Sequence, residues 1–364
     1  MLNKNKNIVV TGTTGQDGSY MVEYLLENFE SRVFGLVRRN SNPNYSNIKV
    51  VLGHSNFELA YGDLTDSHSI ENIVRRIKPD YFINFAGQSD VHLSWEIPQS
   101  TWEINTTGVM NVLEAVRKHA HLCRTYNAGS SEEWGDVIYS PQDEQHPPRA
   151  RSPYAASKVA ARQLVKSYRE SYKLYVIQGT LFNHESIRRS PAFVTRKITL
   201  GVAKISKAFK ENKDFEPLEL GNLDSLRDWS HAKDFIDWVW RMVNQEKYRS
   251  DLGEYKNETN LTILSPMLRE YVLSSGENHT VREFVEKAFK VAGYEGVWIN
   301  GGLDEEYIIN GQNVVKINPR FYRPAEVSTL LGNSTKARTE LGWEPKITFD
   351  QLVKEMVESD LCLS

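Results

Sequence analysis

The stretch Ile8-Val9-Val10-Thr11-Gly12-Thr13-Thr14-Gly15-Gln16-Asp17-Gly18 decides how the chain is read. A β-branched run at 8–11 leads into three glycines set three residues apart. Met21, Val22, Leu25, Leu26 and Phe29 then follow at a spacing that lines one face of a helix. Glycine permits a tight strand-to-helix turn and lets backbone N–H groups approach a pyrophosphate at the positive end of the helix. The bland reading is a turn that serves packing only. Placed between the first strand and first helix of a βαβ unit, the glycines read as a dinucleotide-binding turn.

Outward from that turn, strand-like and helix-like periods alternate. Strands are expected at 33–37, 57–61, 81–86, 124–128 and 174–182, and helices at 69–77, 104–118 and 154–172, the first of these closed by Pro79. Such alternation predicts an α/β fold, a Rossmann-type doubly wound parallel sheet covered on both faces. Ligands then belong at the carboxyl ends of the strands, just after Thr11, Val37, Tyr61, Ala86, Ala128 and Phe182. Past Phe182 the rhythm breaks, and Pro191, Pro217, Pro266, Pro319, Pro324 and Pro345 punctuate shorter elements. A smaller, interleaved α/β substrate-binding domain is expected there. The division reads as 1–185 for the first domain, with a helix at 228–244 and a strand near 268–276 returning to it. Residues 186–227 and 277–364 form the second, and 246–267 a surface insertion.

Composition narrows the function. The 364 residues carry 44 Lys plus Arg against 47 Asp plus Glu, a net charge of −3, so no basic excess argues for nucleic acid or an anionic membrane. Apolar runs are strand-sized, short of the roughly 20 residues that a membrane span needs. The polar, lysine-bearing start does not read as a signal peptide. Cys123 and Cys362 make neither a disulfide framework nor a metal site, and a cytoplasmic setting is the expectation.

Two further clusters carry chemistry. Arg38 and Arg39 follow the second strand, where an NAD site would show a carboxylate; guanidinium groups there suit a 2′-phosphate and predict NADP. Tyr154 and Lys158, four apart on a helix, share one face, and a nearby ammonium is expected to lower the phenol's pKa toward use as a base. Ser130 or Ser131, at the end of the 124–128 strand, would hydrogen-bond a substrate alcohol. Glu132 and Glu133 follow. A carboxylate placed there can take the acidic C–H beside a newly formed ketone and expel a neighbouring hydroxyl as water.

These residues resemble the extended short-chain dehydrogenases and, within them, the GDP-mannose 4,6-dehydratase family. The similarity rests on GTTGQDGSY (12–20), LVRRNS (36–41), YGDLTD (61–66), AGQSDV (86–91) and RSPYAASK (151–158). It continues through LFNHES (181–186), FVTRKI (193–198), GNLDSLRDWSHAKD (221–234), TVREFVEKAF (280–289) and FYRPAEV (321–327), nearly the whole chain. The resemblance implies oxidation of a GDP-sugar at C4, loss of water across C5 and C6, and return of the hydride to C6 through bound NADP. Tyr154 would take the 4-hydroxyl proton, and the family's Thr-x-Glu motif falls on Ser130 and Glu132, with Glu133 as the spare.

By the same resemblance Gly12, Thr14, Gly15, Gln16, Asp17, Gly18, Arg38, Arg39, Asp63, Leu64, Ala86, Gln88, Tyr154, Lys158, His184 and Arg189 would hold the cofactor. Ser89, Glu132, Asn183, Val194, Lys197, Gly221, Asn222, Arg227, Arg323 and Glu326 would hold GDP-mannose or a related GDP-sugar. A homodimer or homotetramer is implied. Asp90 stands where the family carries histidine, Glu133-Trp134 replaces Leu-Tyr, and 102–105 diverges; all are expected near the hexose, leaving room for another GDP-sugar such as a heptose. The alternatives are an NADP-binding, non-catalytic protein and an epimerase.

Overall fold

The structure is a computed structural model that describes residues 5–245, 269–321, 327 and 329–363. Arg323, Glu326 and the 246–267 insertion lie outside the described residues. Six strands, β1 (Asn7–Thr11), β2 (Arg32–Val37), β3 (Phe57–Tyr61), β4 (Tyr81–Asn84), β5 (Arg124–Ala128) and β6 (Val176–Leu181), join Val272–Leu273 in a seven-stranded sheet. Its order is Val272–Leu273, β6, β5, β4, β1, β2, β3, and every neighbouring pair is parallel. Chain order runs outward in both directions from β1 and β4. That reversal opens a crevice at their carboxyl ends.

Alternation along β1 explains the two layers. Ile8 and Val10 pack on one face with Met21, Leu25, Phe235 and Trp238, while Val9 faces Phe34, Ile70, Val74, Val112 and Val116 on the other. The covering helices start where local chemistry allows. Asp66 caps Ser67–Ile77 by accepting from the His68 and Ser69 amides, and Ser152 caps Pro153–Tyr172 with Pro153 in its first turn. A separate apolar core gathers Ile198, Val202, Phe284, Phe289, Leu352 and Met356 from helices Val194–Glu211, Val281–Val291 and Phe349–Leu363.

Three elements differ from expectation. The 81–86 strand stops at Asn84, because the Ala86 amide donates to Thr11 Oγ1 (3.0 Å) and leaves the ladder. The 104–118 helix begins as a π-helical turn, Glu103–Thr107, before Gly108–His119 continues it. Within 228–244, Trp229–His231 is a strand paired in parallel with Asn183–Glu185, and only Ala232–Val243 is helical. Non-local pairing wins over helical periodicity at that point.

Candidate active site

The glycine turn is forced by contact. Gly12 has φ of +67°, and a Cβ on it would lie 2.9 Å from the Ala86 nitrogen; one on Gly18 would lie 2.2 Å from the Gly12 carbonyl oxygen. Gly15 is the N-cap of Gln16–Asn28 without any side-chain cap, so the positive helix end opens into the crevice. The crevice is a cleft of about 950 Å³. Gly12, Thr14, Gly15, Gln16, Asp17, Gly18, Arg38, Asp63, Leu64, Ala86, Gln88, His184 and Arg189 all line it, as do Tyr154 and Lys158. Arg39 is exposed and does not reach its wall.

Part of that lining is committed to protein. Gln16 Nε2 donates to the His184 carbonyl (3.0 Å), and Gln16 Oε1 accepts from Ser186 Oγ (2.8 Å). His184 Nε2 meets Asp17 Oδ2 at 3.0 Å, while its Nδ1 lies 2.8 Å from the Phe182 carbonyl. Burial pushes the Asp17 carboxyl up, yet His184 and Arg189 hold it net below its ordinary value. Burial disfavours charged His184, but Asp17 lifts it net above its ordinary value. Arg189 pairs with Glu185 at 3.0 Å and lies over the Phe193 ring.

At the carboxyl end of β5 the two serines and two glutamates separate. Ser130 is the hydroxyl whose proximity pulls the Tyr154 pKa down, and its Oγ accepts from the Glu132 amide, so Ser130 rather than Ser131 stands beside the phenol. Glu132 lines the cleft. Glu133 does not: it is fully buried, ion-paired to Arg162, and accepts from the Ser130 amide (2.9 Å) and Gln178 Nε2 (3.1 Å). It is therefore removed as a spare base. Lys158 Nζ donates to the Ala128 carbonyl at 2.8 Å and stands 5.8 Å from the Tyr154 ring centre.

The expected lowering of the Tyr154 pKa is overturned by the packing around the phenol. Burial pushes the phenol well above its ordinary value; Ser130 pulls it back, while Glu132 and Glu133 push it further up. Burial also brings Lys158 down to about 8, against the upward pull of Glu133 and Asp17. In the sequence only the i, i+4 ammonium was visible; the dehydrated pocket and two carboxylates outweigh it.

The opposite wall comes from the second core. Ser89, Asn183, Val194, Lys197, Gly221, Asn222 and Arg227 line it. Val194 opens an 18-residue helix whose N-cap, Phe193, supplies no side-chain hydrogen bond. Lys197 lies 3.5 Å from the Phe321 ring centre, and burial lowers its pKa. A Cβ on Gly221 would stand 2.7 Å from the Phe321 carbonyl oxygen. Asn183 Oδ1 is buried without a partner among the described residues, and so is Gln88 Oε1. Arg227 is buried, with Nη1 donating to the Leu226 carbonyl at 2.8 Å.

Of the divergent positions, Asp90 and Ile104 line the cleft. Trp134 is 4% exposed, packs with Phe182, Val272, Val327 and Leu330, and does not itself line the cleft, although Phe182 does. Trp102 is 46% exposed and also off the wall. Several lining residues, Glu185 and Arg320 among them, carry no signal in the sequence reading, which marks 102–105 as divergent but gives Asn105 no role. Asn105, inside the π-helical turn, accepts from the Gln88 amide (2.9 Å) and donates to the Gln88 carbonyl (2.9 Å) and Ser157 Oγ (3.1 Å), tying the 86–90 loop to the Tyr154 helix. Its signal was a polar residue at an inward position of the 104–118 helix. Among the described residues no group of His, Cys, Asp and Glu could hold a metal, and no helix is long and apolar enough to cross a membrane.

Known proteins identify the family of the sequence and share its fold. The family described as GDP-mannose 4,6 dehydratase matches residues 9–265 and 252–356. The GDP-mannose 4,6 dehydratase of Drosophila melanogaster is 41% identical over 368 residues, covering 98% of this chain and 87% of that protein. The Yersinia enterocolitica GDP-mannose 4,6-dehydratase is 40% identical over 375 residues, covering 98% and 94%. Among solved structures, the dTDP-glucose 4,6-dehydratase DesIV of Streptomyces venezuelae, with NAD bound, superposes with a TM-score of 0.76 at 19% identity, covering 97% of this chain and 96% of that one. The family match over most of the sequence and relatives about 40% identical over 98% of it place the chain in the GDP-mannose 4,6-dehydratase family.

Proposed function

We propose that the protein converts GDP-mannose to GDP-4-keto-6-deoxymannose with NADP as its resident cofactor. The observation that carries this reading is that Glu132, Ser130, Tyr154 and Lys158 line the same cleft as the glycine turn and Asn183. The residues present fit a dinucleotide: a Cβ would fill the cradle at Gly12 and Gly18, and the uncapped helix end at Gly15 faces in. Arg38, in the wall beyond β2, would pair with a 2′-phosphate, which favours NADP over NAD. Held by Gly12, Gly15, Arg38 and Lys158, the cofactor would supply a hydride acceptor for the sugar's C4 and a hydride donor for C6, with no net redox change.

The protein's own groups do the rest. Tyr154 takes the 4-hydroxyl proton, with Ser130 orienting that hydroxyl and Lys158 stabilising the phenolate. Burial raises the Tyr154 pKa, and Ser130 and Arg189 pull against it. Glu132 removes the C5 proton, now acidic beside the C4 carbonyl, and passes it to the C6 hydroxyl, which leaves as water; the proton held by Tyr154 returns to C5 as C6 is reduced. Lys197, Asn222, Arg227 and the start of Val194–Glu211 would receive the nucleotide and diphosphate, joined by Arg323 and Glu326.

A GDP-mannose substrate deuterated at C4 should yield product with deuterium at C6 and no accumulated NADPH. NADPH formed in step with product would make the protein a plain dehydrogenase. A second substrate reading, another GDP-sugar such as a heptose, is favoured by Asp90, whose carboxylate stands in the cleft wall and accepts from the Leu93 amide at 3.1 Å. Water loss from a panel of GDP-sugars, read by mass spectrometry, separates the two.

A further inference from the structure

Beneath the cleft a line of buried side chains crosses four strands. The Ala86 amide donates to Thr11 Oγ1 (3.0 Å), which donates to Asn84 Oδ1. Asn84 Nδ2 donates to Asn127 Oδ1 (2.7 Å), Asn127 Nδ2 to Gln178 Oε1 (2.7 Å), and Gln178 Nε2 to Glu133 Oε1 (3.1 Å). All five side chains from Thr11 to Glu133 are buried. The line has a direction. It begins at a backbone N–H, which only donates, and ends at a carboxylate, which only accepts, so each amide between them has one orientation that satisfies both neighbours.

Its two ends are parts of the site. Ala86 lies against Gly12 at the cofactor turn, and Glu133 Oε1 also accepts from the Ser130 amide at 2.9 Å. Glu133 is fixed in turn by Arg162, which also pairs with Glu270, itself paired with Arg169 at 2.9 Å. A buried carboxylate and guanidinium are costly to desolvate and weak as a source of stability, so their presence calls for another account.

We propose that Glu133 is a positioning residue for the reaction. As the acceptor-only, ion-paired end of this ladder, it holds the Ser130–Glu132 loop at a fixed offset from the cofactor turn. The inference rests on the dehydratase reading for what the loop does, but not for the ladder itself. Glu133 also acts through charge. The groups facing it are Tyr154, Lys158 and Arg162 on one helix, Tyr126 on β5, Glu132 beside it and Glu270 ahead of Val272. Its negative charge raises Tyr154 and Lys158. Its removal therefore moves the acid limb of the rate, where Tyr154 must lose its proton, to lower pH.

The test uses Glu133→Gln, which keeps shape but not charge or acceptor-only character, and Glu133→Leu with Arg162→Met, which replaces the pair by apolar groups and is expected to fold. Both should lower kcat for GDP-mannose about tenfold or more, with KM changed less than about threefold. Glu133→Gln should shift the acid limb down by about half a pH unit. Amide hydrogen exchange over 129–134 should quicken in both, a readout that needs no turnover. Wild-type kcat in the folded double variant overturns the proposal. So does a kcat loss that leaves both the acid limb and the exchange unchanged, which marks mere destabilisation. A wild-type protein inert toward GDP-mannose would sink the dehydratase reading instead, and exchange would still judge the ladder.

Discussion

The half of the cleft floored by the glycine turn is braced by hydrogen bonds between protein groups: Gln16 to His184 and Ser186, Asp17 to His184, and Ala86 to Thr11. The half bounded by Val194–Glu211 and 220–225 instead includes Asn183, whose buried Oδ1 has no partner among the described residues. An unmet buried acceptor costs on the order of 1–3 kcal/mol, which a ligand donor can recover. The difference is one of degree, since Gln88 Oε1 beside the glycine turn is also buried without a partner among the described residues: the turn itself is held by protein groups, while Asn183 leaves an acceptor open to a ligand.

The largest test of that contrast lies where the halves meet. Glu132→Gln should cut dehydration about a thousandfold while hydride exchange at C4 continues, read as loss of C4 deuterium from recovered substrate. Dehydration at the wild-type rate would move the base elsewhere. On the braced side, Arg38→Ala should weaken NADP binding about thirtyfold and leave NAD unchanged, by fluorescence titration. An equal loss for both would make Arg38 a general phosphate contact. On the open side, Asn183→Ala should raise KM for GDP-mannose about tenfold with little change in kcat or cofactor affinity. If cofactor affinity falls too, the halves are not independent.

The smallest effect concerns the Asp17–His184 pair. His184 is raised, so its contribution is complete below its unfolded pKa of about 6.5 and is lost as pH rises through the higher folded value. Asp17 is lowered, so its contribution is complete above its unfolded pKa of about 3.9 and is lost as pH falls through the lower folded value. His184→Gln should therefore lower Tm by about 2 °C at pH 6, and the gap should narrow by pH 9. A gap that widens with pH would reverse the assignment.

Much of the braced half was legible in the sequence because its signals are local. The strand–glycine–helix turn at 8–18 and the Tyr154/Lys158 spacing each sit within one or two elements, and Arg38 directly follows β2. What escaped depends on partners far along the chain. Trp229–His231 reads as helix until Asn183–Glu185 supplies a strand to pair with. Glu133 reads as a second candidate base until Arg162 and Gln178 surround it. Trp134 reads as a wall residue until Phe182 and Val272 bury it. The phenol's raised pKa likewise needs the packed pocket, since spacing alone shows the cation and not the burial.

The turn at Glu103–Thr107 carries one more residue than an α-helix would need there. Deleting it would let the turn close to α-helical geometry, with Val109, Val112, Leu113 and Val116 kept in their layer. The loss would fall on Asn105, which the wide turn brings to Gln88 and Ser157. The extra residue thus serves the chemistry above the sheet and not the packing of the layer.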